Sequence, residues 1–283
     1  MAMDLYCVMG NPVEHSKSPW IHARFAELTG QRLQYGKRLI ALDGFAAGIA
    51  AFVAEGGRGC NITVPFKFEA AALAHSFSAR ATLAQASNTL VFSRNAEGAV
   101  QIAADNTDGV GLVNDITQHA GVKLQGHDVL LIGAGGAAAG VLGPLLQAGP
   151  RQLLVVNRSI GKAQSLVHRH LALAAETDTA LAAGGLNDIH GGFDVVINAS
   201  ASSLGGAAVP VAAHVLRRGA LAYDMMYGPA AAGFLEWAQA HGAQPRDGLG
   251  MLVEQAAEAF ALWRGVRPPS AQVLAELRAE LAR

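Results

Sequence analysis

The sequence predicts an α/β protein of two α/β domains, and three observations lead to that prediction. The chain has 283 residues, of which 51% are hydrophobic and 15% charged, so it can bury a large core and does not resemble a disordered chain. Short apolar runs alternate with helical patterns along the chain, as in α/β folds. A glycine-rich turn that starts at Gly133 separates a predicted strand from a predicted helix. The length allows two domains of ordinary size.

The first hundred residues predict one sheet with helical connections. Apolar runs indicate strands at residues 5–9, 34–39 and 59–64. Helical spacing indicates helices at residues 19–28, 43–55 and 65–74. Two further runs, 89–93 and 100–104, flank a turn and predict a hairpin. Because helices connect most of these strands, we expect a mostly parallel sheet.

A second pattern begins near Gly109. Apolar strand candidates lie at residues 128–132, 152–157, 194–198 and 220–224, with helices at 137–147 and 162–173. Strand, glycine turn, helix and strand in this order predict a doubly wound nucleotide-binding domain. Beyond Gly250 the pattern is helical, at residues 251–263 and 271–281. These last helices are expected to pack back onto the first domain.

Composition excludes several classes of protein. The 21 basic and 22 acidic residues give no global field that would draw the chain to nucleic acid or to an anionic membrane. Two cysteines, Cys7 and Cys60, cannot make a disulfide framework and are expected to be small buried side chains. The ten histidines show no metal-binding spacing, so no metal is expected.

Neither a secretory signal nor a membrane span is predicted. The start of the sequence has no basic segment followed by a long apolar one, so a cytoplasmic location is expected. Residues 129–146 carry no charge and are long enough to be read as a membrane span. Their glycines and Pro144 indicate instead a strand that turns sharply into a helix.

The glycine turn predicts a dinucleotide site. Residues 133–138 fit the pattern GxGxxA, in which backbone N–H groups approach a pyrophosphate at a helix N-terminus. The alternative is a turn that serves close packing only. The next strand ends at Asn157, Arg158 and Ser159, with Lys162 one turn on and no carboxylate at the ribose position, which favours NADP over NAD. The alternative for the two cations is a solvated surface role.

Three polar clusters lie at predicted strand ends or helix starts, where ligands bind in α/β sheets. They are residues 16–18, residues 61–67, and residues 88–89 together with 105–109. Strand alternation places Asn61 and Thr63 on one face, with Lys67 in the first turn after them. Each cluster alone could be an ordinary turn or helix cap.

Taken together, these motifs resemble the shikimate dehydrogenase family, in order and over nearly the whole chain. The matching segments are residues 8–12, 15–19, 61–67, 88–90, 105–109, 133–138, 157–159, 223–225 and 247–251. The resemblance implies an NADP-dependent enzyme of aromatic amino-acid biosynthesis that interconverts 3-dehydroshikimate and shikimate. It implies a substrate domain over residues 1–108 completed by 247–283, a Rossmann-like NADP domain over 109–246, and a cleft between them that we expect to close on substrate.

The resemblance also implies roles for individual residues. Lys67 and Asp105 form the implied catalytic pair, because oxidation of an alcohol needs a group that takes the hydroxyl proton. The other implied substrate-binding residues are Ser16 and Ser18 for the carboxylate, with Asn61, Thr63, Asn88, Tyr227 and Gln255 around the ring. The implied cofactor-binding residues are Gly133, Ala134, Gly135, Gly136, Ala137, Asn157, Arg158, Ser159, Lys162, Met225, Gly248 and Met251.

Some alternatives stay open at this point. Lys162 stands where the family often has Arg, which would weaken contact with a 2′-phosphate. A quinate/shikimate or aminoshikimate dehydrogenase would share most of the pocket, and a catalytically silent NADP-binding sensor is a rival from another class. The expected partners are a small molecule, shikimate or 3-dehydroshikimate, and neither nucleic acid nor membrane. The expected assembly is a monomer or a homodimer.

Overall fold

Two six-stranded sheets form the framework of the computed structural model, which describes residues 3–200 and 209–282. The chain divides into two units, one of residues 1–111 and 252–283 and one of residues 112–251. The predicted domain boundaries lie three to five residues before these divisions. The predicted fold class, two α/β domains of which the second is Rossmann-like, is confirmed.

The sheet of the first unit is mixed. Its strands are β1 (Asp4–Gly10), β2 (Leu33–Leu39), β3 (Gly57–Ile62), β4 (Ser76–Phe77), β5 (Thr89–Arg94) and β6 (Val100–Asp105). They lie in the order β2-β1-β3-β5-β6-β4, and three of the five neighbouring pairs are parallel. The predicted hairpin β5–β6 makes β5 antiparallel to both of its neighbours. Strand β4 was missed because two exposed residues carry no periodic signal.

Five helices accompany this sheet along the first part of the chain. They are α1 (Ser18–Thr29), α2 (Phe45–Ala54), α3 (Lys67–Ala72), α4 (Ala79–Ala84) and α5 (Asp108–Asn114). Helix α1 has Pro19 in its first turn, where the fixed φ of proline suits the helix, and it is capped at its C-terminus by Gly30 with φ +65°. In the hydrophobic core of this unit, Phe45 of α2 stacks on Phe66 at 4.9 Å between ring centroids. Cys7 and Cys60 are buried free thiols in this core, as predicted.

The sheet of the second unit is wholly parallel. Its strands are β7 (Asp128–Ile132), β8 (Gln152–Val156), β9 (Ala180–Gly184), β10 (Phe193–Asn198), β11 (Leu216–Asp224) and β12 (Gln244–Arg246). The order β12-β11-β10-β7-β8-β9 is that of a doubly wound fold, with α6 (Gly136–Gln147), α7 (Ile160–Glu176) and α8 (Ala232–Ala240) between strands. Every residue of β7 is buried, as expected for a central strand covered on both faces.

Two C-terminal helices complete the first unit, as the sequence predicts. They are α9 (Leu249–Arg264) and α10 (Ser270–Leu281). Arg24 of α1 donates from Nε and Nη2 to the Glu276 carboxylate of α10, at 2.6 and 3.0 Å. Trp263 of α9 donates to the carbonyl of Leu90 at 3.1 Å. Among residues 3–200 and 209–282, none of the helices combines the length and apolar character that crossing a membrane requires.

Candidate active site

Lys67 and Asp108 form an ion pair in the first unit. Lys67 is the first residue of α3 and Asp108 the first of α5, so each side chain leaves the start of a helix that follows a strand end. The distance from Nζ to Oδ2 is 2.5 Å, and the side chains are 14% and 7% exposed. A nearly buried amine beside a carboxylate is the arrangement that proton transfer to or from an alcohol requires.

Asn88 fixes the carboxylate of this pair. Its Nδ2 has three acceptors within hydrogen-bond distance, which share its two hydrogens: Asp108 Oδ1 at 2.8 Å, Thr107 Oγ1 at 2.9 Å and Gln255 Oε1 at 3.2 Å. Its Oδ1 accepts from the backbone N–H of Thr107 at 2.8 Å and from the Thr89 hydroxyl at 2.9 Å. Because the amide nitrogen and the amide oxygen are both engaged, Asn88 holds residues 107 and 108 against the end of β5.

Asp105 does not meet Lys67, so the expected pairing is corrected. Its carboxylate accepts bonds from Arg80 Nε and Nη2 at 2.6 and 2.8 Å, from the Ser78 hydroxyl at 2.6 Å and from the backbone N–H of Asn106 at 2.6 Å. Burial raises the pKa of Asp105, but these bonds outweigh it and hold the pKa below the usual range. Asp105 ends β6 whereas Asp108 begins α5, and the turn between them aims the two carboxylates at different partners.

Asn61 of β3 lies next to this group, opposite Thr89 of β5. Its Nδ2 donates to the Thr89 hydroxyl at 3.0 Å and to the Asn88 carbonyl at 3.2 Å. Its Oδ1 accepts from the Tyr35 hydroxyl at 2.7 Å. Tyr35 was not predicted, because a tyrosine on a half-exposed strand carries no local signal for a site. Hydrogen bonds thus join four predicted residues, Lys67, Asn61, Asn88 and Gln255, through residues 89, 107 and 108.

The other predicted substrate-binding residues lie at the start of α1, after β3 and in the second unit. Ser16 accepts a bond from the backbone N–H of Ser18 at 3.3 Å, just where α1 begins, and Ser18 is 5% exposed. Thr63 follows β3, and its methyl group lies so close to Gly10 that a Cβ there would stand 2.2 Å from it. Gly10 is therefore what lets Thr63 approach the end of β1. Tyr227 belongs to the second unit, where it precedes a short 3₁₀ turn.

The glycine turn of the second unit has the geometry of a phosphate cradle. Gly133 has φ +117°, and a Cβ there would lie 3.0 Å from the backbone of Ala199, so only glycine fits. A Cβ at Gly135 would meet nothing within 4 Å, which leaves the approach to the start of α6 open. Ala134, Gly136 and Ala137 are exposed in part beside it. Free N–H groups at the start of this 12-residue helix fit the pyrophosphate of a dinucleotide.

Two further segments of the second unit carry the other predicted cofactor residues. After β8, the Asn157 side chain donates to the carbonyl of Ser159 at 3.0 Å, and Arg158 and Lys162 are exposed, as cations must be to reach a phosphate. Near β12, the N–H of Gly248 donates to the carbonyl of Met226 at 2.8 Å. A Cβ on Gly248 would lie 2.2 Å from the Met225 carbonyl oxygen, and Met251 is 6% exposed.

The described part of the chain has no group of three or more His, Cys, Asp or Glu side chains that could hold a metal ion.

Comparison with known proteins identifies a family. The family model of the shikimate dehydrogenase substrate-binding domain matches residues 8–90. A model described as shikimate / quinate 5-dehydrogenase matches residues 112–205, and the C-terminal domain of shikimate 5′-dehydrogenase matches residues 248–278. A protein of Acidovorax sp. named shikimate dehydrogenase (NADP(+)) is 67% identical over 281 residues, which cover 99% of this chain and 98% of that one.

Solved structures show the same similarity. An Ael1 enzyme from Pseudomonas putida is 46% identical with a TM-score of 0.84, covering 97% of this chain and 98% of its own. A shikimate 5-dehydrogenase from Thermus thermophilus, crystallised with NADP(H) and shikimate, is 29% identical with a TM-score of 0.78, covering 98% and 99%. On this identity and coverage, the chain belongs to the shikimate dehydrogenase family.

Proposed function

We propose that this chain catalyses the reversible NADP-dependent reduction of 3-dehydroshikimate to shikimate, within the route to chorismate and the aromatic amino acids. The observation that carries the proposal is the nearly buried ion pair of Lys67 and Asp108. It supplies the acid–base group that a dehydrogenase of a secondary alcohol needs. Membership of the family and the name of the 67% identical relative support the same reaction.

In this reaction Lys67 exchanges the proton of the reacting hydroxyl. The bound cofactor would supply the hydride chemistry at the carbon that bears the oxygen, as the acceptor NADP+ in oxidation and the donor NADPH in reduction. Lys67 takes the hydroxyl proton as the alcohol becomes a ketone and returns it in reduction. Asp108 lies 2.5 Å from Nζ, so it orients the amine and stabilises the positive charge that Lys67 gains with the proton. Asp105 has no part in this step, because Arg80 and Ser78 engage its carboxylate.

The substrate is held by polar groups from both the start and the end of the chain. Hydroxyls of Ser16 and Ser18 at the start of α1 suit a carboxylate, which accepts hydrogen bonds. The ring hydroxyls are assigned to Asn61, Asn88 and Gln255, which share the hydrogen-bonded group of Lys67. Thr63, which follows β3, is assigned to the ring as well, and Tyr227 keeps its assigned role near the substrate.

The cofactor is held by the second unit. Gly133 forms the turn, its own N–H donating to the Val156 carbonyl, and the backbone N–H groups of residues 134–137 suit the pyrophosphate, as the open approach at Gly135 supports. Arg158 and Lys162 suit the 2′-phosphate, with Asn157 and Ser159 beside them. Met225, Gly248 and Met251 are assigned to the nicotinamide end.

An absorbance assay of NADPH formation tests this proposal. The purified chain is incubated with shikimate and NADP, and in parallel with quinate and with NAD. We expect the highest kcat/KM with shikimate and NADP. Quinate is the competitor to include, because one matching family model covers shikimate and quinate enzymes alike. A chain that reduces no NADP with shikimate would refute the function, and a preference for quinate would reassign the substrate.

We further propose that the protein acts in the cytoplasm as a monomer or a homodimer. The two free thiols, Cys7 and Cys60, are typical of proteins in a reducing compartment, which supports this location. Light scattering after size-exclusion chromatography measures the assembly, and a mass above that of two chains would contradict it.

A further inference from the structure

The side-chain amide of Asn61 has almost all of its hydrogen-bonding capacity engaged by the protein. Both hydrogens of Nδ2 have acceptors, the Thr89 hydroxyl at 3.0 Å and the Asn88 carbonyl at 3.2 Å. One lone pair of Oδ1 accepts from Tyr35 at 2.7 Å. An amide oxygen has two lone pairs, so one acceptor position is left and no donor. Toward a ligand, Asn61 therefore offers only an acceptor.

Tyr35 and the Asn88 carbonyl hold the amide from opposite ends. The Asn88 carbonyl oxygen can only accept, so the Nδ2 of Asn61 must face it. The Tyr35 hydroxyl donates its hydrogen, so the Oδ1 of Asn61 must face the phenol. Burial raises the pKa of Tyr35 well above its usual value, so the phenol keeps the hydrogen that it donates. The ring itself is fixed by stacking on His22, at 4.1 Å between centroids and 7° between planes.

We propose that Tyr35 is a positioning residue that fixes Asn61 as a hydrogen-bond acceptor, so that the site selects a ring with a hydroxyl at the facing position. This inference rests on the proposed function, in which Asn61 binds a ring hydroxyl. A hydroxyl can donate to the remaining lone pair, whereas a carbonyl or a hydrogen cannot. A hydrogen-bonding group that is already fixed in orientation discriminates more strongly between substrates with and without the matching hydroxyl than a group that can rotate.

The test is a comparison of Tyr35→Phe with the unaltered chain on three substrates: shikimate, 4-deoxyshikimate and 5-deoxyshikimate. With shikimate we expect kcat/KM to fall about tenfold, mainly through KM, because one hydrogen bond to Asn61 is lost. With the deoxy compound that lacks the facing hydroxyl, we expect a fall of at most about twofold, since the bond that Tyr35 supports is absent already. The KM for NADP is expected to stay within about twofold.

Tyr6→Phe is the matched control. Tyr6 lies opposite Tyr35 in the strand register and stacks on Trp263 at 4.6 Å in the same aromatic group. Its hydroxyl contacts Arg264 at 3.5 Å and no residue of the site. Tyr6→Phe is therefore expected to leave all three substrates unchanged.

The outcomes distinguish a failure of the proposed Tyr35 role from a failure of the proposed function. Equal losses on all three substrates, or no loss on shikimate, would overturn the role of Tyr35 while the enzyme remained a shikimate dehydrogenase. The same losses in Tyr6→Phe would also overturn it, because they would show a general effect of the aromatic group. An unaltered chain without activity on shikimate would refute the proposed function itself.

Discussion

In the proposed reaction, the proton exchange at position 67 needs an amine that can release its proton. Lys67→Ala is expected to lower kcat at least about a hundredfold with a small change in KM, because it removes the group that exchanges the hydroxyl proton. Lys67→Arg is expected to fail as well, since a guanidinium does not release its proton at ordinary pH. Steady-state rates of NADPH formation give both values, with the exposed Lys123→Ala as control.

The variant Asp108→Asn tests whether the carboxylate beside Lys67 supports turnover. Asp108→Asn keeps the shape but removes the charge beside Nζ, so kcat should fall in the same direction. Turnover close to that of the unaltered chain in Lys67→Ala would contradict the assignment of the proton-exchanging group.

Of the residues that hydrogen bonds join here, the sequence and the family resemblance pointed to Lys67, Asn61, Asn88 and Gln255. The pairing expected for Asp105 shows where such prediction stops. The motif at residues 105–109 contains two carboxylates, one at the end of a strand and one at the start of the helix that follows. Lys67, Asn88 and the glycine turn could be identified because their own segments carry the pattern. Which carboxylate meets Lys67 depends on Arg80, a residue outside that motif that engages Asp105. A partner distant in sequence leaves no local signal.

We expect the preference for NADP over NAD to depend on Arg158. Arg158 is exposed after β8, and a guanidinium donates paired hydrogen bonds to phosphate. Arg158→Ala is expected to raise the KM for NADPH about tenfold or more and to leave the KM for NADH nearly unchanged, because only NADPH carries the 2′-phosphate. The KM values for the two cofactors, measured with 3-dehydroshikimate, check this. Equal increases for both would show that Arg158 does not contact the 2′-phosphate.

At the scale of elements, one ion pair joins the end of β6 to α4 and α9. Arg80 at the start of α4 donates to Asp105 and, through Nη1, to Glu258 of α9 at 3.0 Å. Asp105 in turn accepts from the N–H of Asn106, whose side-chain oxygen accepts from the N–H of Asp108 at 3.2 Å. The six-residue helix α4, too short to predict from periodicity, is thus part of what sets the turn before Asp108.

Asp105→Asn is expected to weaken this connection in a pH-dependent way. At pH near 7 the free energy of unfolding should fall by about 1–3 kcal/mol, the usual loss for a hydrogen-bonded charge. The pKa of Asp105 lies below its free value of 3.8, so this stability is present above about pH 4 and is lost as pH falls through the folded-state pKa. Urea unfolding should therefore show a constant difference from neutral pH to about pH 5 and a smaller one below about pH 4. A difference that grows in acid would contradict this interpretation.

At the scale of the whole molecule, the first unit is built from both ends of the chain. Arg264 of α9 donates to the carboxylate of Asp4 in β1, and α10 packs on α1 through Glu276 and Arg24. The sequence pattern indicated that the last helices return to the first domain. Their partners could not be predicted, because residues more than 250 positions apart leave no joint pattern in a single sequence.

The stability of this assembled unit is expected to depend on pH through His22. The imidazole is wholly buried among Phe25, Tyr35, Phe260 and Trp263, and burial lowers its pKa from 6.5 to about 3. Below about pH 6.5 the imidazole is protonated in the unfolded chain but stays neutral in the folded chain. The free energy of unfolding therefore falls as the pH decreases from there toward the folded-state pKa. Between about pH 7 and pH 5 this group alone should remove about 2 kcal/mol from the free energy of unfolding.

Two variants test this dependence. His22→Phe and His22→Gln differ in packing, but neither has an imidazole that titrates. The free energy of unfolding of both variants should therefore rise by that amount relative to the unaltered chain as the pH falls over this range. Urea unfolding followed by circular dichroism measures it, and a difference that does not change with pH in either variant would show that His22 is not responsible.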